Sequence, residues 1–232
     1  MQSLPAGYRA LVIGNSGAIG GALTDQLRAD SRCAEVLALG RGSDPSIDFD
    51  DPSSVAEAAN AIHERGPLHL VLVSTGMLQS QTGHPEKRLA DLSADHLAAS
   101  FAVNAIGPAL AIAHFSPLLP RHQRSVFAVL SAKVGSIGDN RLGGWYSYRA
   151  SKAALNMLLK TAAIELARTH PYTVLAALHP GTVDSALSAP FRGAQIGRPA
   201  QAAATDLLTV LDKLQPEDSG GFWAYDGQQL PW

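Results

Sequence analysis

The sequence has few of the features that mark several classes of protein. It has one cysteine in 232 residues, Cys33, so no internal disulfide is possible and a reducing compartment is expected. Charged residues make up 16%, and the net charge is −2 with no basic run, which argues against a nucleic-acid surface. The stretch before Tyr8 is too short and polar for a signal peptide, and no apolar stretch is expected to reach membrane-spanning length. We therefore expect a cytoplasmic protein that binds neither nucleic acid nor membrane.

Short apolar runs alternate with helical patterns along the whole chain. Most runs lack polar alternation, as strands covered on both faces do, and they predict strands at Ala10–Ile13, Val36–Leu39, Leu68–Val73, Val126–Leu130, Val174–Leu178 and Phe222–Tyr225. Helices are predicted at about Ile19–Ala29, Ser53–Arg65, Ala94–Leu118, Ser147–Thr169 and Ala200–Leu214. A short extra strand is expected near Ile47–Phe49. The alternation predicts one α/β domain over 1–232, a Rossmann-type doubly wound parallel sheet.

Three longer loops each follow a predicted strand: Gly76–Leu92, Ser131–Tyr146 and Pro180–Pro199. Because the strands are parallel, all three loops should lie at the carboxyl edge of the sheet. Open α/β sheets bind their ligands at that edge.

Glycines recur at a three-residue spacing between the first strand and the first helix. Gly14 suits a sharp turn, Gly17 lets the backbone approach a pyrophosphate, and Gly20 lets the helix pack on the strand. The free N–H groups of the helix N-terminus would face the phosphates. The predicted phosphate cradle comprises Gly14, Asn15, Ser16, Gly17, Ala18, Ile19 and Gly20. The alternative is a glycine-rich turn without a ligand.

The end of the second strand bears on which dinucleotide is bound. A site for NAD has an acidic residue there, but this strand ends in Leu39-Gly40-Arg41. Arg41 is suited to a ribose 2′-phosphate, so NADP is the expected cofactor, with NAD as the alternative. Otherwise Arg41 is a solvated charge, paired with Asp44.

Tyr148 and Lys152 lie four residues apart at the start of a predicted helix and share one face of it. A phenol ordinarily titrates near pH 10, and a nearby cation favours its ionised form. The pair can therefore give a proton to a carbonyl oxygen or take one from an alcohol. Taken alone, the same spacing also fits a core tyrosine with a surface lysine.

The glycine turn, Asn104, Ser131, the Tyr148–Lys152 pair and Pro180-Gly181 occur in one order over nearly the whole chain. This order resembles that of the short-chain dehydrogenase/reductase superfamily. The stretch from Gly143 to Lys152 and the ending Asp226-Gly227…Leu230-Pro231-Trp232 are similar to its C-factor-like and sniffer-type carbonyl reductase members.

The resemblance implies a role for each matching position. Tyr148 would be the acid/base, and Lys152 would hold the nicotinamide ribose. Asp48 and the Phe49 backbone would contact adenine. The remaining cofactor contacts implied are Ser74, Thr75, Gly76, Pro180, Gly181, Val183 and Ser185.

One departure from the family concerns the serine that binds the substrate. Many members have paired serines where this chain has Ser131-Ala132, and the second is usually catalytic. Ser131 is therefore our candidate for the substrate carbonyl, with Ser136 as the alternative.

Asn104 lies inside a predicted helix, four residues before Pro108. A proline cannot donate to the carbonyl four residues back, so a kink is expected there. The resemblance implies that the freed Asn104 carbonyl holds a water in a proton relay to Lys152. The alternative is a kink that serves packing only.

The function expected is the reduction of a small aldehyde or ketone with NADP. A dinucleotide-binding regulatory or cell–cell signalling protein with incidental turnover is the alternative, and a bare scaffold would need a glycine turn that binds no cofactor. No histidine has metal-ligand spacing, so no metal is expected. The resemblance leaves open whether the predicted helices Ala94–Leu118 and Ser147–Thr169 form the interface of a homo-oligomer. An apolar substrate wall is expected from Met77, Leu78, Trp145, Leu187 and Phe191.

Overall fold

Strands and helices alternate as the sequence predicts. The computed structural model describes residues 1–79, 83–191 and 193–232. Its strands are β1 (Tyr8–Ile13), β2 (Cys33–Leu39), β3 (Leu70–Val73), β4 (Ser125–Leu130), β5 (Thr173–His179) and β6 (Gly221–Ala224). Its α-helices are α1 (Ala18–Ala29), α2 (Pro52–Ile62), α3 (Ala94–Phe101), α4 (Gly107–Phe115), α5 (Tyr146–Leu166), α6 (Gly193–Ile196) and α7 (Ala200–Lys213).

The strands form one parallel sheet in the order β2-β1-β3-β4-β5-β6. The chain runs outward from β1 to β2 and then crosses to β3 on the other side of β1. The strand order therefore reverses between β1 and β3, and ligands of doubly wound sheets bind at such a point. The loops after β3, β4 and β5 all leave from this carboxyl edge, which confirms the predicted fold class.

Each face of the sheet carries its own hydrophobic core. In β1, Leu11 and Ile13 pack in the core beneath α2, α4 and α5, whereas Ala10 and Val12 pack in the core beneath α1 and α7. The two-residue period of a strand sends successive side chains to opposite faces. Because both faces are covered, the strands read as unbroken apolar runs.

The predicted helix at 94–118 is one helical stretch with a change of pitch inside it. A π-turn at Ala102–Ile106 separates α3 from α4, and the Gly107 N–H bonds the Ala102 carbonyl, five residues back. Among the described residues, Ala94–Leu118 is long and apolar enough to cross a membrane by length and composition alone. The expectation that no stretch reaches that length was therefore wrong. Apolar residues of this stretch such as Phe115 belong to the core beneath α4.

The predicted strand at Ile47–Phe49 is not formed. The Ile47 N–H bonds the Gly40 carbonyl at 3.0 Å, and the Asp48 N–H bonds the Ser54 hydroxyl at 2.9 Å. This segment joins none of the described strands and forms only an isolated bridge between Asp48 and Asp51. Ile47 and Phe49 nevertheless bury their side chains in the core beneath α2 and α4. The alternation of apolar and polar residues that predicted a strand therefore belongs to a loop whose apolar side chains fill the core.

Candidate active site

The phosphate cradle, residues 14–20, has a geometry that only glycine permits at two of its positions. Gly14 has a φ of +90°, a conformation that side chains disfavour. A Cβ on Gly20 would lie 2.2 Å from the Gly14 carbonyl oxygen, so α1 can approach the turn only without a side chain there. These two glycines are therefore required by the protein's own packing.

Gly17 has a different status within the same turn. A Cβ there would meet the Gly14 carbonyl oxygen at 3.4 Å, an ordinary contact, so the fold itself leaves room for a side chain. Gly17 also caps α1 without any side-chain hydrogen bond, which leaves the first N–H groups of the helix free of partners among the described residues. Open space and free donors at a helix N-terminus together form a site suited to an anion.

Arg41 follows β2 as predicted and is exposed at one end of the cleft. Within the described parts of the chain it forms no ion pair, so the predicted alternative of pairing with Asp44 is not observed. Asp48 and Phe49 line the cleft beside it. Asn15 lies behind this wall, where its side-chain oxygen would be 3.1 Å from a Cβ on Gly40. The cation is thus free to meet a phosphate.

In the segment after β3, the Ser74 side chain holds two parts of the fold together, and Thr75 and Gly76 line the cleft. The Ser74 hydroxyl donates to the Ile13 carbonyl at 2.8 Å, so it ties β3 to the start of the cradle. The Thr75 hydroxyl is buried, lines the cleft and has no hydrogen-bond partner in the described structure. A buried hydroxyl without a partner is uncommon and marks a place where a ligand group can bond. A Cβ on Gly76 would lie 4.0 Å from the Lys152 amine, so this segment reaches the Tyr148–Lys152 pair.

Tyr148 and Lys152 meet at the middle of the same cleft. Tyr148 is half-buried, and its hydroxyl forms no hydrogen bond with the described residues. The Lys152 amine is buried, donates to the Leu130 carbonyl at 2.8 Å and lies 6.0 Å from the centre of the Tyr148 ring. Burial raises the pKa of the Tyr148 phenol to about 12 and lowers the pKa of the Lys152 ammonium to about 7. Burial therefore disfavours the phenolate, so proton transfer from Tyr148 requires a group that stabilises the charge left behind.

Ser131 and Ser136 have different surroundings. Ser131 directly follows β4, lines the cleft and donates its hydroxyl proton to Asn156 Oδ1 at 2.6 Å. Ser136 is buried away from the cleft walls, and its hydroxyl accepts a bond from the Asp139 N–H at 3.1 Å. This geometry supports Ser131 over Ser136 as the serine that can reach a substrate.

Asn104 is fully buried in the π-turn and does not line the cleft. Its side chain accepts a bond from the Met77 N–H at 2.8 Å and donates to the Met77 carbonyl at 2.7 Å and to Ser151 Oγ at 3.1 Å. The side chain therefore holds the loop after β3 against α5. The change of pitch coincides with the kink expected from Pro108, whereas the water relay from the Asn104 carbonyl stays a prediction.

The start of α5 is held by the loop after β3. Trp145 has a left-handed backbone, with φ 52° and ψ 45°, and its N–H bonds the Glu86 carbonyl at 2.5 Å. The Glu86 carboxylate is buried and accepts bonds from the Ser147 N–H at 3.1 Å and from the Ser147 hydroxyl. Burial opposes ionisation of Glu86, but the bonds from Ser147 outweigh it and hold the carboxyl pKa below its ordinary value. Tyr148 is the residue after Ser147, so these bonds fix the position of the helical turn that carries it.

The loop after β5 closes the other side of the cleft. Pro180, Gly181, Val183 and Ser185 all line the cleft, as the resemblance implied. Gly181 has a φ of +76°, and a Cβ there would lie 2.9 Å from the Tyr225 ring. Ser188 fixes the bend by donating to the Val183 carbonyl at 2.5 Å. These contacts shape the loop independently of any ligand.

The cleft has a volume of about 760 Å³, in the upper part of the range of about 300–1,000 Å³ that is usual for small-molecule sites. The cradle and Arg41 line one end, and the five residues of the predicted apolar wall line the other, so that expectation holds for Met77, Leu78, Trp145, Leu187 and Phe191. The Trp145 ring packs edge-on against Tyr148 at 6.3 Å and against Phe191 at 5.1 Å. Of the predicted site residues, Asn15, Gly20 and Asn104 support this cleft from behind.

Comparison with known proteins identifies the family. The family model described as enoyl-(acyl carrier protein) reductase matches residues 20–224. A 1-hydroxy-2-glutathionyl-2-methyl-3-butene dehydrogenase from a Rhodococcus strain is 32% identical over 200 residues, which cover 86% of this chain and 84% of that protein. The C-signal of Myxococcus xanthus is 35% identical over 144 residues, which cover 62% of this chain and 83% of the C-signal.

A solved structure shows the same fold. The NADPH-bound carbonyl reductase from chicken fatty liver superposes with a TM-score of 0.83 at 24% identity, covering 99% of this chain and 95% of the other. The chain belongs to the short-chain dehydrogenase/reductase superfamily and is an NAD(P)-dependent oxidoreductase. The resemblance inferred from the motif order is thereby confirmed.

Sequence reasoning missed two residues that act on the site. Asn156 bonds Ser131, and Glu86 bonds the first turn of α5. Asn156 could have been found, because it lies four residues after Lys152 and therefore on the same helix face. Glu86 gave no local signal, since its partner lies 61 residues along the chain.

Proposed function

We propose that the protein reduces a small aldehyde or ketone with NADPH, and that Tyr148 is the proton donor. The observation that carries the proposal is geometric: Tyr148 lines the cleft, its hydroxyl forms no hydrogen bond with the described residues, and the buried Lys152 amine lies 6.0 Å from its ring. A hydroxyl that is not engaged by the protein is available to donate its proton to a substrate oxygen, and a nearby cation stabilises the phenolate that forms.

The cleft residues fit the dinucleotide group by group. The cradle and the free N–H groups of α1 would hold the pyrophosphate, Arg41 the 2′-phosphate, and Asp48 with the Phe49 backbone the adenine. The nicotinamide half would lie against Ser74, Thr75, Gly76, Lys152, Pro180, Gly181, Val183 and Ser185. NADPH, when bound, supplies the hydride.

Tyr148 and Lys152 divide the handling of the proton. The carbonyl oxygen gains negative charge during reduction, and Tyr148 transfers its phenolic proton to that oxygen. With a pKa of about 7, Lys152 exchanges protons readily near neutrality, and its amine lies 6.0 Å from the Tyr148 ring. It is therefore suited to stabilise the phenolate and to return the proton to it, through the water relay expected near Asn104.

Ser131 would orient the substrate. Ser131 lines the cleft, and its hydroxyl can donate to the oxygen that develops charge once its proton is released from Asn156. The apolar wall around Trp145 and Phe191 would hold the carbon skeleton of the substrate. We propose a cytoplasmic location for this reaction, with no metal, nucleic acid or membrane as a partner, and with assembly into homo-oligomers left to measurement.

A regulatory or signalling role is the second candidate, because the chain is 35% identical to the C-signal over 144 residues. NADPH consumption with a panel of aldehydes and ketones, and NADP⁺ reduction with the matching alcohols, separates the two. The proposed function predicts turnover with at least one carbonyl compound and a preference for NADPH over NADH. NADPH binding without turnover across the panel would favour the regulatory role.

A further inference from the structure

The bond between Ser131 and Asn156 leaves one end of a buried amide unused. Ser131 Oγ donates to Asn156 Oδ1 at 2.6 Å, and Asn156 is 2% exposed. Asn156 Nδ2 is buried and has no hydrogen-bond partner among the described residues. Buried N–H groups without an acceptor are rare in folded proteins, and under-bonded carbonyl oxygens are less so.

A half-turn of this amide exchanges its two ends at nearly the same positions. Nδ2 then donates to Ser131 Oγ, so the orphan donor gains an acceptor and the amide oxygen takes the unbonded place. The Ser131 hydroxyl has one proton, which the half-turn releases from Asn156. Because Ser131 lines the cleft, the released proton can point toward a bound substrate.

The two orientations offer the substrate opposite chemistry. When the amide oxygen accepts the Ser131 proton, Ser131 presents a lone pair to the cleft, which suits the hydroxyl of an alcohol. When the amide nitrogen donates, Ser131 presents a proton, which suits a carbonyl oxygen that gains charge. The amide therefore decides which oxidation state of the substrate the serine recognises.

We infer that Asn156 is the positioning residue for Ser131, and that its amide turns to donate to Ser131 Oγ when a carbonyl substrate binds. The inference rests on the proposed carbonyl reduction and deepens it. It also accounts for an asparagine in the buried part of α5, one turn beyond Lys152, where a polar side chain is otherwise costly.

The first test compares Asn156→Asp with wild type across pH. An ionised Asp only accepts, so it fixes the Ser131 proton on itself, whereas a protonated Asp can donate as the turned amide does. Reduction by Asn156→Asp should be lower than wild type by about a hundredfold at high pH and should recover as pH falls. The ratio of variant to wild-type turnover should therefore rise as pH falls. A variant that tracks the wild-type pH profile would overturn the inference.

Two further variants separate positioning from packing. Asn156→Leu removes both ends of the amide and leaves the Ser131 hydroxyl free to rotate, so its loss of turnover should be smaller than that of ionised Asn156→Asp and independent of pH. In a Ser131→Ala background, Asn156→Asp should cause no further loss. An equal loss with and without the Ser131 hydroxyl would mean that Asn156 acts on packing alone.

A spectroscopic measurement tests the inference without turnover. The chain has five asparagines, so ¹⁵N-asparagine labelling gives five side-chain amides, and Asn156→Asp identifies one of them. Acetophenone bound to the NADP⁺-loaded protein should move an Asn156 amide proton downfield as the amide bonds Ser131, whereas 1-phenylethanol bound to the NADPH-loaded protein should not, and neither complex can react. A signal that is unchanged by acetophenone, or moved equally by both, overturns the inference.

These measurements distinguish the inference from the function on which it rests. Wild-type turnover with an unresponsive Asn156 amide would reject the positioning role and keep the reductase. An amide that responds to acetophenone in a protein without turnover would support the positioning role and reject the reductase.

Discussion

The Glu86 carboxylate bonds both the backbone N–H and the hydroxyl of Ser147, and so joins the loop after β3 to the first turn of α5. That turn carries Tyr148, so the loop that lines the substrate side also fixes where the proposed proton donor begins. A carboxylate at a helix N-terminus additionally meets the favourable end of the helix dipole.

Replacement of Glu86 should therefore affect stability and catalysis together. Glu86→Ala should lower the free energy of unfolding by about 1–3 kcal/mol, because two buried donors of Ser147 lose their acceptor. Turnover should fall as Tyr148 loses its anchor, while NADPH affinity changes little. Urea unfolding and steady-state kinetics measure both, with the exposed Glu57→Gln on α2 as the control.

The same pair predicts how stability depends on pH. The folded-state pKa of Glu86 lies below its ordinary value, since the Ser147 bonds outweigh the effect of burial, with a contribution from nearby His96. Its contribution to stability is therefore complete above the ordinary pKa and is lost as pH falls through the folded pKa. Glu86→Gln should lose that acid-side slope. An unchanged slope would show that Glu86 is not the group responsible.

Two glycines of the cradle should respond differently to alanine. Gly20→Ala should destabilise the fold, because its Cβ would lie 2.2 Å from the Gly14 carbonyl oxygen. Gly17→Ala should fold normally but weaken NADPH binding, since its Cβ meets only an ordinary contact in the protein yet occupies the space for a phosphate. Thermal unfolding and NADPH titration of both variants check this. Equal loss of stability in the two would contradict it.

Arg41 should set the choice of dinucleotide. Arg41→Ala should lower the affinity for NADPH by about tenfold to a hundredfold and leave the affinity for NADH nearly unchanged, because only the 2′-phosphate loses a charge-assisted bond. Calorimetric titration with each cofactor measures the change, and Arg28→Ala, exposed at the far end of α1, is the matched control. Equal weakening of both cofactors would remove Arg41 from the specificity site.

Burial of Lys152 should make stability rise with pH. The pKa of Lys152 falls from its ordinary 10.5 to about 7 in the folded protein, so the unfolded chain binds one more proton between those values. The free energy of unfolding therefore rises with pH in that window. Below it, Lys152 is charged in the folded protein, and the cost of burying that charge is greatest. Lys152→Met should flatten the dependence, whereas Lys160→Met, at an exposed position on the same helix, should not. Unfolding in urea from about pH 6 to pH 10 decides the matter.

The sequence was a good guide wherever local chemistry and position coincide. Strand and helix periodicity predicted the glycine spacing, the Tyr148–Lys152 pair and the loops at the carboxyl edge. This periodicity is clear because the sheet has a hydrophobic core on each face. Ile47 and Phe49 misled the prediction because loop residues that fill a core alternate like a strand. The 94–118 stretch misled it because an apolar helix on a sheet has the composition of a membrane helix.

The contacts that hold the site in place could not be predicted from local sequence patterns. Ser147 meets Glu86 only after the chain has folded back over 61 residues. The choice between Ser131 and Ser136 likewise depended on which of them lines the cleft in the folded protein. Long-range contacts of this kind leave no period in the sequence.

The central claim is that Tyr148 gives its proton to the substrate oxygen. The most direct measurement is NADPH binding and steady-state carbonyl reduction on one preparation of Tyr148→Phe, which keeps the ring and removes only the hydroxyl. NADPH affinity and fold should match wild type, and reduction should fall by about a hundredfold to ten-thousandfold, the usual contribution of general acid catalysis. Turnover equal to that of wild type would contradict the account.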